Sequence, residues 1–225
     1  MKITYIEHSC FMIETKGKVI VIDPYMKNPE NIINKFPQLL NADFIILSHG
    51  HEDHTGSLYR LIGKSTCLIG VPELCSYFEN LGIKHTYAMN FGGTAALGEI
   101  IVSLVKAEHT SSLNGVYLGE PAGIILKTDS HTLYHFGDTS VFGDMSLIQK
   151  LYRPDIGLIP IGGRYTMNAD HAAFACNEFF NFDTIIPMHY NTFDSIRVNP
   201  EDFSKKVNKG HVRILSYGET LNISD

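Results

Sequence analysis

At 225 residues, 44% of them hydrophobic, the chain can bury a large core without disulfide staples. Its 24 acidic and 18 basic residues leave a formal charge of −6 with no basic run, which disfavours nucleic-acid backbone as the main partner, because phosphate contacts need clustered Lys and Arg. Cys10, Cys67, Cys75 and Cys176 lack C-x-x-C spacing and read as reduced thiols. No apolar run approaches the roughly 20 residues of a membrane span. Met1-Lys2-Ile3-Thr4-Tyr5 opens directly into an alternating strand, with no apolar leader or cleavage site. A cytoplasmic protein acting on a small molecule is therefore expected, and general frequency among enzymes favours a homo-oligomer.

Short Ile- and Val-rich runs bounded by turn residues predict strands at 2–6, 11–15 and 18–22, the last closed by Asp23-Pro24. A fourth strand, 44–48, runs into His49-Gly50-His51-Glu52-Asp53-His54, which packs three imidazoles and two carboxylates into six residues. That composition reads as a metal site: imidazole nitrogen and carboxylate oxygen suit zinc, manganese, iron or nickel. Clustering them at the end of a rigid strand lowers the entropy lost when they converge on an ion. A helix at 55–62 should follow, with Leu58, Leu61 and Ile62 on one face, then a strand at 66–70 and a helix at 72–81 opened by Pro72. The strand at 99–105 precedes His109. Strands at 123–128 and 132–136 lead to Gly137-Asp138-Thr139, and a helix is expected at 144–152. A strand at 156–160 precedes Gly162-Gly163-Arg164-Tyr165, with a helix at 170–180 behind it. The strand at 184–188 ends on His189, and a helix at 200–207 carries Asn199 as cap and Pro200 in its first turn. Strands at 212–216 and 220–223 complete the chain. Two β-rich halves, each with helices and no linker between them, imply two sheets packed face to face with helices outside, as one domain spanning 1–225.

His-x-His-x-Asp-His after a buried strand resembles the signature of the metallo-β-lactamase superfamily, and Asp23, His109, Asp138 and His189 resemble its other motifs in the expected order. Glu7-His8-Ser9, Gly162 to Met167, and Pro187-Met188-His189-Tyr190-Asn191-Thr192-Phe193 are similar to a compact metal-dependent hydrolase branch related to L-ascorbate-6-phosphate lactonase. Asn168-Ala169-Asp170-His171 departs from that pattern. The resemblance implies a four-layer αββα sandwich of two mixed β-sheets and two divalent ions per chain, zinc or manganese first, with nickel or iron also accommodated. It further implies that His49, His51 and His109 hold one ion, Asp53, His54 and His189 the other, and that Asp138 bridges them. Water activated between the ions would then attack phosphorus or a carbonyl carbon, with Asp53 as catalytic carboxylate.

Several assignments stay open at this point. Asp23 is either a carboxylate orienting a ligand histidine or an Asp-Pro turn residue. His8 is either near the site or a core histidine. Arg164 and Tyr165 are either contacts for a substrate anion or ordinary surface residues. Asp170 and His171 are expected to cap their helix, with an approach of His171 to the pocket as the alternative. The reaction expected first is phosphodiester hydrolysis. Hydrolysis of a small phosphorylated lactone or ester comes next, and a di-iron redox protein or a non-catalytic metal-binding module represents the other classes.

Overall fold

Sixteen strands run through the computed structural model, which describes residues 1–224. In chain order β1 (Lys2–Glu7), β2 (Cys10–Thr15), β3 (Lys18–Ile22), β4 (Phe44–Ile46), β5 (Cys67–Gly70) and β6 (Thr86–Ala88) come first. Next are β7 (Thr94–Leu97), β8 (Ile100–Lys106), the short β9 (Ser112–Leu113) and β10 (Val116–Tyr117), β11 (Ala122–Lys127) and β12 (Thr132–His135). Finally β13 (Ile156–Pro160), β14 (Thr184–Met188), β15 (His211–Val212) and β16 (Glu219–Asn222) close the series. The helices are α1 (Pro29–Lys35), α2 (Glu52–Thr55), α3 (Leu58–Leu61), α4 (Pro72–Asn80), α5 (Met145–Tyr152), α6 (Ala169–Phe179) and α7 (Pro200–Ser204).

The chain forms two units. The first comprises Met1–Gly93, Thr110–Pro121 and the C-terminal stretch from Ser216; the second comprises Thr94–His109 and Ala122–Leu215. Each contains one seven-stranded mixed sheet, ordered β16-β1-β2-β3-β4-β5-β6 in the first and β15-β14-β13-β12-β11-β8-β7 in the second. In the first unit β16, β1, β2 and β3 pair antiparallel while β3, β4, β5 and β6 pair parallel. The second unit repeats this plan: β7, β8, β11 and β12 antiparallel, then β12, β13, β14 and β15 parallel. Two mixed sheets with flanking helices are the components of the αββα sandwich.

The central parallel strands are buried along nearly their whole length, which explains their continuous Ile and Val runs. Ile20, Val21, Ile45, Ile46, Leu68 and Ile69 form the core of the first unit, and Leu158, Ile159, Ile185 and Ile186 that of the second. The expected helix over 55–62 is instead two single turns, α2 and α3. Ser57 breaks it because its N–H donates to the Pro24 carbonyl at 2.9 Å and its Oγ accepts from the Met26 N–H at 3.0 Å, tying it to the loop after β3. The expected strand at 212–216 shrinks to His211–Val212, and the one at 44–48 ends at Ile46. Helix α1 buries no residue and so leaves no apolar period in the sequence. Among the described residues no helix is long and apolar enough to cross a membrane. All four cysteines carry free thiols. Burial pushes Cys75 and Cys176 up to about 12, so both remain protonated at neutral pH.

Candidate metal centre

In the first unit the polar side chains gather on the loops that follow β1, β3 and β4. Asp23 is fully buried and sits in the left-handed region at φ 47°. Its Oδ1 accepts from the Ser48 N–H at 2.7 Å, and its Oδ2 accepts from the Ser48 hydroxyl at 2.6 Å and from His54 Nδ1 at 2.8 Å. A carboxylate so occupied orients its neighbours, and it fixes the protonation of two histidines. Carboxylate oxygen only accepts, so His54 carries its proton on Nδ1 and presents Nε2 as the electron-pair donor. Ser48 has one proton and gives it to Asp23. His49 Nδ1, 3.0 Å from the Ser48 oxygen, must therefore be the N–H, and His49 Nε2 the donor atom for a metal.

His49 Nε2 lies 2.9 Å from His51 Nδ1. Two imidazole nitrogens on one tetrahedral zinc stand about 3.3 Å apart, given bonds of about 2.0–2.1 Å. This pair is thus within a few tenths of an ångström of the spacing one ion requires, and the donor set fits a divalent metal. Asp23, His49 and His54 each place a ligand atom within 4.8 Å of the other two. Helix α2 starts one residue after His51 and carries Asp53 and His54 in its single turn. His8, also fully buried and left-handed at φ 60°, sits with Nε2 3.2 Å from Asp53 Oδ2, so the imidazole is beside the predicted site and not in a separate core position. Tyr25 packs its ring edge-on to His8 at 5.6 Å. Burial, then the charges of Glu7, Asp53 and Glu52, raise the Tyr25 phenol above its ordinary range, so it stays a neutral O–H donor at any physiological pH.

The second unit brings together His109, Asp138 and His189. Asp138 Oδ2 lies 3.0 Å from His189 Nε2 and 3.5 Å from His109 Nε2, and Asp138 and His189 are almost fully buried. His189 is left-handed at φ 54°. Non-glycine residues rarely occupy this region, and holding one there costs about 1–3 kcal/mol, which the surrounding contacts must offset. The neighbouring loops are fastened to one another. Thr139 Oγ accepts from the Glu108 N–H at 3.0 Å and the Ser140 N–H donates to Glu108 O at 3.1 Å, fastening the loop of His109 to that of Asp138. The Met167 N–H donates to Thr139 O, and Gly162 approaches the His189 carbonyl so closely that an added Cβ would stand 2.2 Å from it. Arg164 and Tyr165 occupy this Gly162 loop, exposed, with the guanidinium 5.5 Å from the Tyr165 ring centre.

His171 lies at the start of α6, exposed, and the cap there is neither it nor Asp170. Asn168 Oδ1 accepts the His171 N–H at 2.9 Å, while Asp170 pairs with Lys206. The side chain two residues earlier wins because an N-cap must precede the first helical residue to reach the free N–H groups. Ser48 and Ser111 also contact the histidine loop, although the sequence does not single them out. Ser48 had one signal, a hydroxyl immediately before the His motif; Ser111, whose Oγ accepts the Gly50 N–H, had none.

A mixed sheet on this plan in each unit, with histidines and carboxylates on the loops that follow the strands, defines a class. The chain belongs to the metallo-β-lactamase superfamily, whose "Beta-lactamase superfamily domain" model matches residues 2–189, and it classes as a metal-dependent hydrolase. Within that superfamily it is 38% identical over 228 residues to a UPF0173 metal-dependent hydrolase of Staphylococcus carnosus (strain TM300), covering 98% of this chain and 99% of the relative. It is also similar to Igni18, a metallo hydrolase from the archaeon Ignicoccus hospitalis KIN4/I, at 33% identity and a TM-score of 0.89 over 100% of this chain and 98% of the other. CmlA, a diiron β-hydroxylase from Streptomyces venezuelae, shares the fold at 14% identity and a TM-score of 0.77 over 99% of this chain and 54% of its own.

Proposed function

We propose that the chain is a dinuclear hydrolase in which His49, His51 and His109 hold one divalent ion, Asp53, His54 and His189 hold the other, and Asp138 bridges the two. The observation that carries this reading is the single oxygen of Asp138 between two imidazole nitrogens assigned to different ions. Zinc or manganese suits such a set of imidazole and carboxylate donors. Bound there, two divalent ions supply Lewis acidity toward substrate oxygens and bring the ionisation of water near neutral pH.

The side chains do the remaining work. Asp53 accepts the proton of the attacking water and is held for this by His8, whose ring N–H points at Oδ2. Asp23 and Ser48 keep His54 and His49 in the tautomers that donate through Nε2. Arg164, exposed on the loop seated against His189, offers a two-pronged contact to a substrate phosphate. The substrate favoured is a phosphodiester. The same arginine would hold the phosphate of a small phosphorylated lactone, which keeps the chemistry of L-ascorbate-6-phosphate lactonase as the second reading. The fold is shared with a diiron β-hydroxylase, but such di-iron relatives generally place a carboxylate where this chain has His51, and that histidine supports hydrolysis. We further propose one functional domain over 1–225, acting in the cytoplasm as a homo-oligomer.

The test is to strip the protein with chelator, titrate zinc or manganese, and assay bis(p-nitrophenyl) phosphate and simple lactones at each addition. Turnover of the diester should return with the second equivalent of metal. Two bound equivalents without turnover of either substrate would contradict the proposal.

A further inference from the structure

The segment Thr110–Pro121 begins one residue after His109 and packs within the first unit. It is a hairpin in which Leu113 faces Val116 and Ser112 faces Tyr117, closed at its base by the Leu118 N–H on the Ser111 carbonyl at 3.2 Å. Both base residues bear on Gly50. The Gly50 N–H donates to Ser111 Oγ at 3.1 Å, and Leu118 lies so close that a Cβ at position 50 would meet its Cδ1 at 2.5 Å. Ser111 and Leu118 are 3% and 1% exposed, whereas Val116 and Tyr117 farther up the hairpin are 46% and 59% exposed. The base is therefore a built contact, and the arm above it is not buried.

Gly50 separates His49 from His51, whose facing nitrogens are 2.9 Å apart. Glycine is the residue with the widest backbone freedom. Rotation about its two dihedrals swings one imidazole away from the other, so a ligand pair split by glycine needs an outside restraint. Its φ is not in the left-handed region, so the glycine is required here by the close approach of Leu118 and not by backbone conformation.

We propose that Ser111 and Leu118 are positioning residues that lock Gly50 and so aim His49 and His51 at one ion. This rests on the dinuclear reading above and sharpens it. Because the hairpin bears on the loop between His49 and His51, and follows His109 directly in the chain, its restraint serves the ion assigned to those three histidines. The ion assigned to Asp53, His54 and His189 does not depend on it.

The experiment is competition for zinc between the full chain and a chromogenic chelator, followed as two binding steps. Ser111→Ala should weaken one step by roughly 10–100-fold, the range typical of lost supporting contacts, and leave the other within about threefold. Ser111→Thr, which keeps the hydroxyl, should restore it, and Leu118→Ala should act like Ser111→Ala. Val116→Ala should move neither step. With one equivalent of cobalt in place of zinc, the visible d–d band of Ser111→Ala should differ from that of the native chain, a change that simple loss of stability would not produce. Should Leu118→Ala fail to fold, Leu118→Val takes its place. Equal weakening of both steps by Ser111→Ala, or of neither, overturns the positioning role. A native chain that binds fewer than two equivalents overturns the dinuclear reading itself, a distinct result.

Discussion

Asp23 shows how much one buried carboxylate can settle. Three donors converge on its two oxygens, and through them it sets the proton positions of His49 and His54. Asn at this position would still accept from Ser48 but would present an N–H to His54 Nδ1–H. The imidazole would then move its proton to Nε2, the atom assigned to the metal. Asp23→Asn is expected to lower metal affinity by roughly 10–100-fold, measured by chelator competition, while far-UV circular dichroism stays native. Much at this scale was legible in the chain. The donor types and spacing of His49, His51, Asp53 and His54 mark a candidate cluster in the chain, whereas His109, Asp138 and His189 are singled out by the order of motifs in the family resemblance. Ser48 and Ser111 are marked by neither, because one serine has no spacing and its role depends on what the fold brings opposite it. The left-handed backbone of His8, Asp23 and His189 is equally silent, since no feature of a histidine or aspartate in sequence reports that tertiary contacts hold it at positive φ.

Between residue and whole molecule, the element that delivers the histidine cluster is β4, a strand of only three residues. Asp43, just before it, pins it to β3: Oδ1 accepts from Lys18 Nζ at 2.8 Å, Oδ2 from the Val19 N–H at 2.9 Å, and its own N–H donates to the Val19 carbonyl at 2.9 Å. Desolvation pushes the Asp43 carboxyl up, but the Lys18 and Val19 hydrogen bonds together outweigh it and hold the group below the ordinary carboxylate range. A folded pKa below the unfolded value of about 3.9 means that the folded state binds the proton less readily. The stabilisation is therefore complete above pH ~4 and disappears as pH falls through the lower folded value. Asp43→Asn should lower Tm at pH 6, and the gap to the native chain should narrow below pH ~4. A gap that persists unchanged at pH 2–3 in thermal melts would contradict this account. Strands of this kind were readable because β-branched runs between turn residues have few alternatives. The split of α2 from α3 was not, because it depends on Ser57 bonding to a loop more than thirty residues earlier in the chain.

At the scale of the whole molecule, the two units repeat one plan: four antiparallel strands sharing their last member with four parallel ones. Site residues recur at matching places. His8 follows β1 and His109 comes after β8, while Asp23 follows β3 and Asp138 lies after β12. No repeat was visible in the sequence because these matches are one or two residues long and lie about a hundred residues apart; only strand order aligns them. The superfamily, by contrast, could be read from the His cluster and the order of the later motifs.

The dinuclear centre proposed above places two ions on seven side chains. Anomalous scattering from crystals of the zinc- or manganese-loaded protein tests it directly. Two peaks are predicted, one within bonding distance of His49, His51 and His109, the other of Asp53, His54 and His189, with Asp138 touching both. A single peak, or two peaks out of bonding distance of these residues, would contradict it.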